Sequence, residues 1–175
     1  MKILQKGQTL IEVLVALSVI TLIVTSITIA VVTSLNNAEF VKNQNLATQY
    51  AQQGMEMMRF MRNTNYGEFV GLSQHYCLAD TCRQVETDST APDYATCGPN
   101  PGVCNPNVNN TFVREITVYN NPPGAGSPNQ CQFGTYVISS VSWADNKCTS
   151  RSNPYCHSVN ISSCFSSGDV ISAPN

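Results

Sequence analysis

An uncharged stretch near the amino terminus constrains this chain more than any other feature. From Val13 to Ala38 no residue carries a charge, and most of the side chains are aliphatic. An α-helix of about 20 residues is long enough to cross the roughly 30 Å hydrocarbon layer of a membrane. Because lipid offers the backbone no hydrogen-bonding partners, a single span must be helical even where it is rich in β-branched residues. The stretch therefore predicts a membrane-spanning helix.

One acidic residue stands at the entrance to this stretch. Glu12 follows Gly7 by five positions, and only Lys2 and Lys6 carry charge before it. A charge at mid-membrane costs about 2.5–3.5 kcal/mol on insertion scales and less near the interface. A plain anchor has no use for such a residue, so we expect a partner for its charge. Cleavage after Gly7 would create one, the α-amino group of Gln8.

Residues 6–17, Lys-Gly-Gln-Thr-Leu-Ile-Glu-Val-Leu-Val-Ala-Leu, resemble the amino terminus of type IV pilins and type II secretion pseudopilins. In that family a membrane aspartyl peptidase cleaves after the glycine, which implies cleavage between Gly7 and Gln8. The same enzyme methylates the new amino terminus, which implies N-methylation of Gln8. The family most often has phenylalanine at that position, so Gln8 is a departure. The family's assembly glutamate corresponds to Glu12.

The resemblance also implies partners and a location. The partners are the prepilin peptidase, other pilins or pseudopilins, the inner-membrane assembly platform and membrane lipid, with no cofactor. Lys2 and Lys6 favour a cytoplasmic amino end by the positive-inside rule. We therefore expect a single-pass protein of the cytoplasmic membrane with its head outside, and later a subunit of a cell-surface or periplasmic filament.

A secretory signal peptide or a plain uncleaved anchor is the simpler alternative. A signal peptide has an apolar core of about 7–15 residues that ends in a small-x-small cleavage site. The apolar stretch here is much longer, and 26–30 (Ser-Ile-Thr-Ile-Ala) is a poor site followed by more apolar residues. A plain anchor would need neither Gly7 nor Glu12. Both observations favour the prepilin interpretation.

The chain has eight cysteines, an even number confined to the region from Cys77 onward. Such a set beyond a membrane segment indicates structural disulfides in an oxidising compartment. No C-x2-C pair supports a structural metal site or a thioredoxin-like centre, so we expect no metal. Eight cysteines allow about 105 pairings, so the connectivity is not readable from the sequence, and the short separations of Cys77/Cys82 and Cys97/Cys104 are compatible with local pairs. The candidates are Cys77, Cys82, Cys97, Cys104, Cys131, Cys148, Cys156 and Cys164.

The region after the apolar stretch keeps a helical period. Small and apolar residues recur at three-, four- and seven-residue steps from Phe40 to Met61, opposite a polar face, and no proline occurs before Pro92. This pattern predicts one long helix that ends near Asn63. Gly54 completes this stripe, and it either marks close packing of the head or is an unimportant glycine.

Three later segments carry strand signals, at 111–119, 133–143 and 157–163. Alternation in the second places Val137, Val141 and Trp143 on one face. The predicted fold class is α+β, with a long amino-terminal helix packed on a small antiparallel sheet in a disulfide-stabilised head. The predicted organisation is a leader (1–7), the membrane-spanning or filament-core half of the helix (8–38), its amphipathic half (39–62), a Cys-rich irregular connector (63–110) and the sheet domain (111–175).

The order of these elements resembles that of minor pilins and minor pseudopilins, as does the helical segment 47–59 with its Gly-Met-Glu centre. That resemblance implies an accessory filament subunit. A secretion pseudopilin, or a membrane-tethered disulfide-rich adhesive or receptor domain, are the alternatives.

Enzymatic and nucleic-acid roles have little support in the sequence. No phosphate-binding glycine motif or recognisable nucleophile motif occurs, so we expect no catalytic residues. Beyond Asn63 the chain has four basic against eight acidic residues. Because phosphate binding depends on basic clusters, the head alone is not expected to hold nucleic acid.

Overall fold

The computed structural model describes residues 5–82, 98–99, 104–120, 131, 134–149 and 154–166. Its elements in chain order are α1 (Gln5–Thr64), α2 (Tyr66–Gly71), β1 (His75–Cys77), β2 (Phe112–Tyr119), β3 (Thr135–Trp143) and β4 (His157–Phe165). The chain divides into two compact units, one that runs to Lys42 and one that begins at Asn43. The first is the amino-terminal part of α1, and the second, called the head below, holds the remainder.

The amino-terminal unit is an apolar helix in which several hydroxyl side chains bond back to the helix backbone. Its large aliphatic residues from Leu10 to Val41 are exposed, many to more than half of their surface. Serine and threonine hydroxyls donate back to carbonyls three or four residues earlier, for example Thr21 Oγ1 to Ser18 O and Thr28 Oγ1 to Val24 O. This back-bonding leaves an aliphatic outer surface suited to lipid.

The head contains one antiparallel sheet in the order β1-β2-β3-β4. The three predicted strands are confirmed, with β2 and β3 paired from Phe112↔Trp143 to Tyr119↔Tyr136. β3 pairs with β4 over nine residues. The structure adds a fourth strand, β1, and the short helix α2, both inside the segment 63–110 that was predicted to be irregular. A three-residue strand is too short to show alternation, so only its pairing with β2 reveals it.

The core of the head lies between one face of α1 and one face of the sheet. Ala47, Ala51 and Met58 are buried on the helix, as the predicted stripe requires, and Met57 is only partly buried. On β3 every second residue from Thr135 to Trp143 is buried, which confirms the predicted alternation. The helix ends at Thr64, one residue beyond the expected position.

Gly54 lies where α1 packs closely against the sheet. A Cβ atom placed on Gly54 would lie 2.6 Å from Ser139 Oγ on β3 and 3.1 Å from Ile116 Cδ1 on β2. Distances this short leave no room for a side chain. Of the two alternatives considered for Gly54, close packing is confirmed.

Three disulfides join described residues of the head, Cys77–Cys104, Cys131–Cys164 and Cys148–Cys156. The expected local pair Cys77/Cys82 is wrong, because Cys77 bonds Cys104 across a separation of 27 residues. That bond also excludes the local pair Cys97/Cys104, and Cys97 itself lies outside the described residues. Cys82 is disulfide-bonded as well. The physical reason is the pairing of β1 with β2, which carries Cys77 away from its sequence neighbours.

Candidate processing and assembly site

The predicted cleavage position lies in the first turns of α1. The helix begins at Gln5, so the peptide bond between Gly7 and Gln8 is inside its amino-terminal end. If that bond were cleaved, Gln8 would become the first residue of a helix that continues to Thr64. The new α-amino group would then stand at the helix end, where the macrodipole already carries partial positive charge.

Glu12 is exposed on α1, four residues after Gln8. Residues four apart lie on the same face of a helix, one turn from each other. Because every Cα–Cβ bond of an α-helix tilts toward its amino terminus, the Glu12 side chain starts in the direction of Gln8. The geometry thus puts one carboxylate within a turn of the amine that cleavage would create.

The surroundings of Glu12 are aliphatic and uncovered. Leu10, Ile11 and Val13 are each exposed to more than half of their surface. Contiguous apolar surface of this extent is normally covered by lipid or by another protein. Once it is covered, Glu12 lies in a medium of low dielectric constant, where an opposite charge attracts it strongly and isolation is costly.

Among the described residues, α1 is the helix that is long and apolar enough to cross a membrane, judged by length and composition. That finding agrees with the predicted anchor. Its apolar residues are not part of the head's core, since the residues buried by the sheet begin at Ala47. The long helix therefore offers two different surfaces along its length, one for lipid or neighbouring helices and one for its own sheet.

Sequence reasoning did not single out Arg114, which is the most heavily bonded side chain in the core. It lies on β2, is 2% exposed, and donates from Nε to Leu78 O (2.9 Å) and from Nη2 to Ala79 O (2.7 Å). Its Nη1 lies 3.4 Å from Tyr50 O on α1. Burial lowers the pKa of Arg114, and the Asp80 and Tyr50 charges partly oppose that change. Alternation along β2 was the available signal, because it places Arg114 on the same face as Phe112 and Ile116.

A second polar cluster lies where β3 ends and β4 begins. His157 Nε2 is 3.0 Å from Asp145 Oδ2, beside the Cys148–Cys156 disulfide. Burial by itself would raise the pKa of Asp145. The Lys147 amide, His157 and the nearby charges outweigh that effect, so the pKa lies below its usual value. The sequence predicted the two cysteines as disulfide candidates without indicating this arrangement.

A shallow groove of about 720 Å³ runs between α1 and β4, lined by Gln49, Gln52, Gln53, Met55, Glu56, Arg59 and Ile161. This lining has no histidine, cysteine or hydroxyl side chain, so it does not assemble a nucleophile with a base.

Residues 3–28 match the family model described as the prokaryotic N-terminal methylation motif. The matched segment contains Gly7, Gln8 and Glu12 together with the first half of the apolar stretch. Comparison with curated proteins and with solved structures finds no match. The motif is that of structural subunits, and it implies processing by a peptidase and assembly with related chains.

Proposed function

This chain carries the prepilin-type amino-terminal motif of type IV pilins and pseudopilins, and on that basis we propose that it is a minor subunit of a type IV pilus-like filament. The observation that carries the proposal is the coincidence, within one helix, of the motif, an exposed apolar surface and a single carboxylate at its entrance. The disulfide-bonded head follows that helix in the chain and would lie outside the membrane.

The first step is removal of the leader, residues 1–7. Cleavage converts the amide nitrogen of Gln8 into an α-amino group, which is positively charged at neutral pH. The new charge appears at the edge of the apolar surface, four residues from Glu12. A methyl group on this nitrogen would keep its charge.

The second step is assembly through charge matching. We propose that Glu12 pairs with the terminal amine of a neighbouring subunit as the helix enters the filament. In a low dielectric this attraction is strong, and a carboxylate left without a partner is costly. A subunit misplaced along the axis leaves two charges unmatched, so the pair specifies register. The apolar helix surfaces supply most of the packing.

Support for an accessory role comes from the resemblance of the helix–sheet order and the segment 47–59 to minor pilins. The same resemblance extends to minor pseudopilins, so a secretion pseudopilus is the second candidate filament. In either case we propose that the amino end faces the cytoplasm, that the helix spans the cytoplasmic membrane, and that the head lies outside it.

The test begins with the amino-terminal sequence and mass of the full chain purified from its native membrane. A chain that starts at Gln8, with or without one methyl group, would support the proposal. A chain that starts at Met1 would instead favour a tethered adhesive or receptor domain, and one that starts after Ala30 would indicate a secreted protein.

Variants then separate processing from assembly. Replacement of Gly7 by Ala or a bulkier residue should block cleavage, which is seen as loss of the mobility shift. Glu12→Ala and Glu12→Gln should be processed normally and be absent from purified filaments. Glu39→Ala is the matched control, since Glu39 is also exposed on α1. It should enter filaments at the wild-type level, and normal entry of the Glu12 variants would contradict charge matching.

A further inference from the structure

Four potential metal ligands converge at the end of the sheet where β3 leaves and β4 begins. They are Asp145, Cys148, Cys156 and His157, and their ligand atoms all lie within 4.8 Å of one another. Two sulfurs, one imidazole nitrogen and one carboxylate oxygen are the donor types that Zn²⁺ uses in proteins, most often four at a time in a tetrahedron.

The nitrogen and oxygen donors lie close together, and each is held by further contacts. His157 Nε2 and Asp145 Oδ2 are 3.0 Å apart. The His157 ring is stacked on Trp143 with a centroid distance of 5.4 Å. The other oxygen of Asp145 accepts the Lys147 amide hydrogen at 2.8 Å. In metal sites, the side chains that bind the ion are usually held in orientation by hydrogen bonds and packing contacts of this kind.

The Cys148 sulfur is surrounded by donors that suit a thiolate. The backbone N–H groups of Asp145 and Cys156 point to Cys148 Sγ, with N···S distances of 3.4 and 3.3 Å. A neutral sulfur is only a weak acceptor, whereas hydrogen bonds to an ionised group are roughly twice as strong as neutral ones. With both cysteines reduced, two thiols would stand beside the Asp145 carboxylate, and a bound cation would stabilise their thiolate forms at this position.

The Cys148–Cys156 bond is also the most accessible of the three described disulfides. Cys156 is exposed and Cys148 is partly exposed, whereas Cys77 and Cys104 are both buried and the exposed Cys164 is bonded to the buried Cys131. It closes a separation of only 8 residues, against 27 and 33 for the other two. Because loop-closure entropy is smallest for a short loop, we expect this bond to stabilise the oxidised head less than the other two described disulfides do.

We propose that Asp145, Cys148, Cys156 and His157 form a zinc site that is filled when the two cysteines are reduced and is lost when they form the disulfide. Binding of Zn²⁺ to the two thiols releases two protons. Oxidation by a protein or small-molecule disulfide removes two electrons from the bound thiolates, forms the Cys148–Cys156 bond and releases Zn²⁺. The oxidant is reduced to two thiols and takes up two protons from solvent.

This zinc site would stabilise the head before the Cys148–Cys156 disulfide has formed. A newly exported chain is reduced, so no reductant has to be supplied at that stage. Zinc would then hold the segment between β3 and β4 in place, and the disulfide would later hold it without metal. The inference goes beyond the proposed filament role and does not depend on it.

The test uses the full chain in detergent, treated with a limiting amount of phosphine reductant. Alkylation of a small sample, followed by mass spectrometry, establishes the conditions under which only the Cys148–Cys156 disulfide is reduced. The unalkylated protein is then used for metal binding. We expect this form to bind one equivalent of Zn²⁺, and Co²⁺ to give the absorption of a tetrahedral thiolate complex. Oxidation with a small disulfide should release the metal in step with the loss of the two thiols.

Two variants and one control locate the ligands. His157→Ala and Asp145→Asn should each weaken binding by at least roughly tenfold, since even second-layer changes cost about 10–100-fold. His75→Ala is the matched control, because His75 also lies beside a cysteine and an acid, 3.4 Å from Glu115. It should bind zinc as the wild type does. Equal affinity in all three variants, six-coordinate cobalt, or no binding by the reduced chain would overturn the proposal.

Discussion

At the level of single residues, a close contact in the head joins Gly54 on α1 to Ser139 on β3. The Ser139 hydroxyl is fully buried and has no hydrogen-bond partner among the described residues. It faces the Gly54 backbone, where a Cβ would lie 2.6 Å away. The Ser139 hydroxyl therefore packs directly against the Gly54 backbone. The absence of a side chain at Gly54 is what allows α1 to lie this close to β3.

Gly54→Ala should destabilise the head even though alanine is the better helix former. The added methyl group forces a shift of β3 or of the helix, and overpacking of this kind costs about 1–3 kcal/mol. The free energy of unfolding of the full chain in detergent can be followed by the fluorescence of Trp143, which is the chain's single tryptophan and is buried. Gly71→Ala is the control, because nothing lies within 4 Å of the position that its new methyl group would take; it should be neutral or slightly stabilising.

Ser139→Ala provides a rescue of the Gly54 variant. Removal of Oγ takes away both the atom in conflict and an unpaired buried hydroxyl, whose desolvation costs about 1–3 kcal/mol. We expect Ser139→Ala alone to be neutral or stabilising and the double variant to recover most of the loss. Additive effects of the two substitutions would show that their contact is not the cause.

Arg114→Met should cost about 2–4 kcal/mol of unfolding free energy. The substitution keeps most of the side-chain volume but leaves the Leu78 carbonyl without its donor, and the Ala79 carbonyl keeps only the longer bond from the Cys82 N–H. Each buried acceptor left unpaired costs about 1–3 kcal/mol. Arg59→Met is the control, since Arg59 is exposed and pairs with Glu56 on the helix surface; its effect should stay within about 0.5 kcal/mol. Equal losses in the two variants would contradict the role assigned to Arg114.

At the level of helices and strands, the three described disulfides differ in how far apart in the sequence the segments they join are. Cys77–Cys104 joins β1 to the segment just before β2, and both sulfurs are buried. Cys131–Cys164 joins the segment before β3 to β4. Cys148–Cys156 closes only the connection between β3 and β4. The first two tie together parts of the head that are distant in sequence.

Removal of these bonds should therefore have unequal effects. Loop-closure entropy assigns about 3.5 kcal/mol to a loop of 27 residues and about 2.5 kcal/mol to one of 8. We expect the Cys77→Ser/Cys104→Ser double variant to lose roughly 1 kcal/mol more stability than Cys148→Ser/Cys156→Ser. Urea unfolding of the oxidised proteins measures both losses. The reverse order would indicate that contacts around Cys148 matter more than loop length.

Taken as a whole, the molecule presents an aliphatic helix in one unit and a polar, disulfide-bonded head in the other. The apolar surface requires lipid or neighbouring helices, whereas the disulfides require an oxidising compartment. These two requirements are met together when the helix crosses the membrane that separates the cytoplasm from that compartment.

Membrane orientation can be tested directly. Alkaline phosphatase fused to the carboxyl end should be active in cells that make the full chain, because that enzyme needs an oxidising compartment for its own disulfides. Replacement of Lys2 and Lys6 by glutamate should lower the activity, since positive residues hold the amino end in the cytoplasm. High activity of a cytoplasmic reporter at the same position would contradict the proposed topology.

Features that depend on neighbours along the chain were predictable from the sequence. The apolar stretch, the helical stripe and the alternation in β3 are periodic, and a period is readable without knowing what packs against it. The amino-terminal motif is equally local, since Gly7, Gln8 and Glu12 lie within two turns of one helix. For that reason the anchor, the helix–sheet architecture and the candidate processing site could all be predicted.

Which distant residues meet became clear only from the folded chain. The partner of Cys77 depends on the register between β1 and β2, and spacing along the chain suggested the wrong one. The close packing of Gly54, the burial of Arg114 among backbone carbonyls and the convergence of Asp145 with His157 have the same origin. Each depends on how strands pair and how closely the helix approaches them, and those distances are set by contacts between segments rather than by any pattern within one.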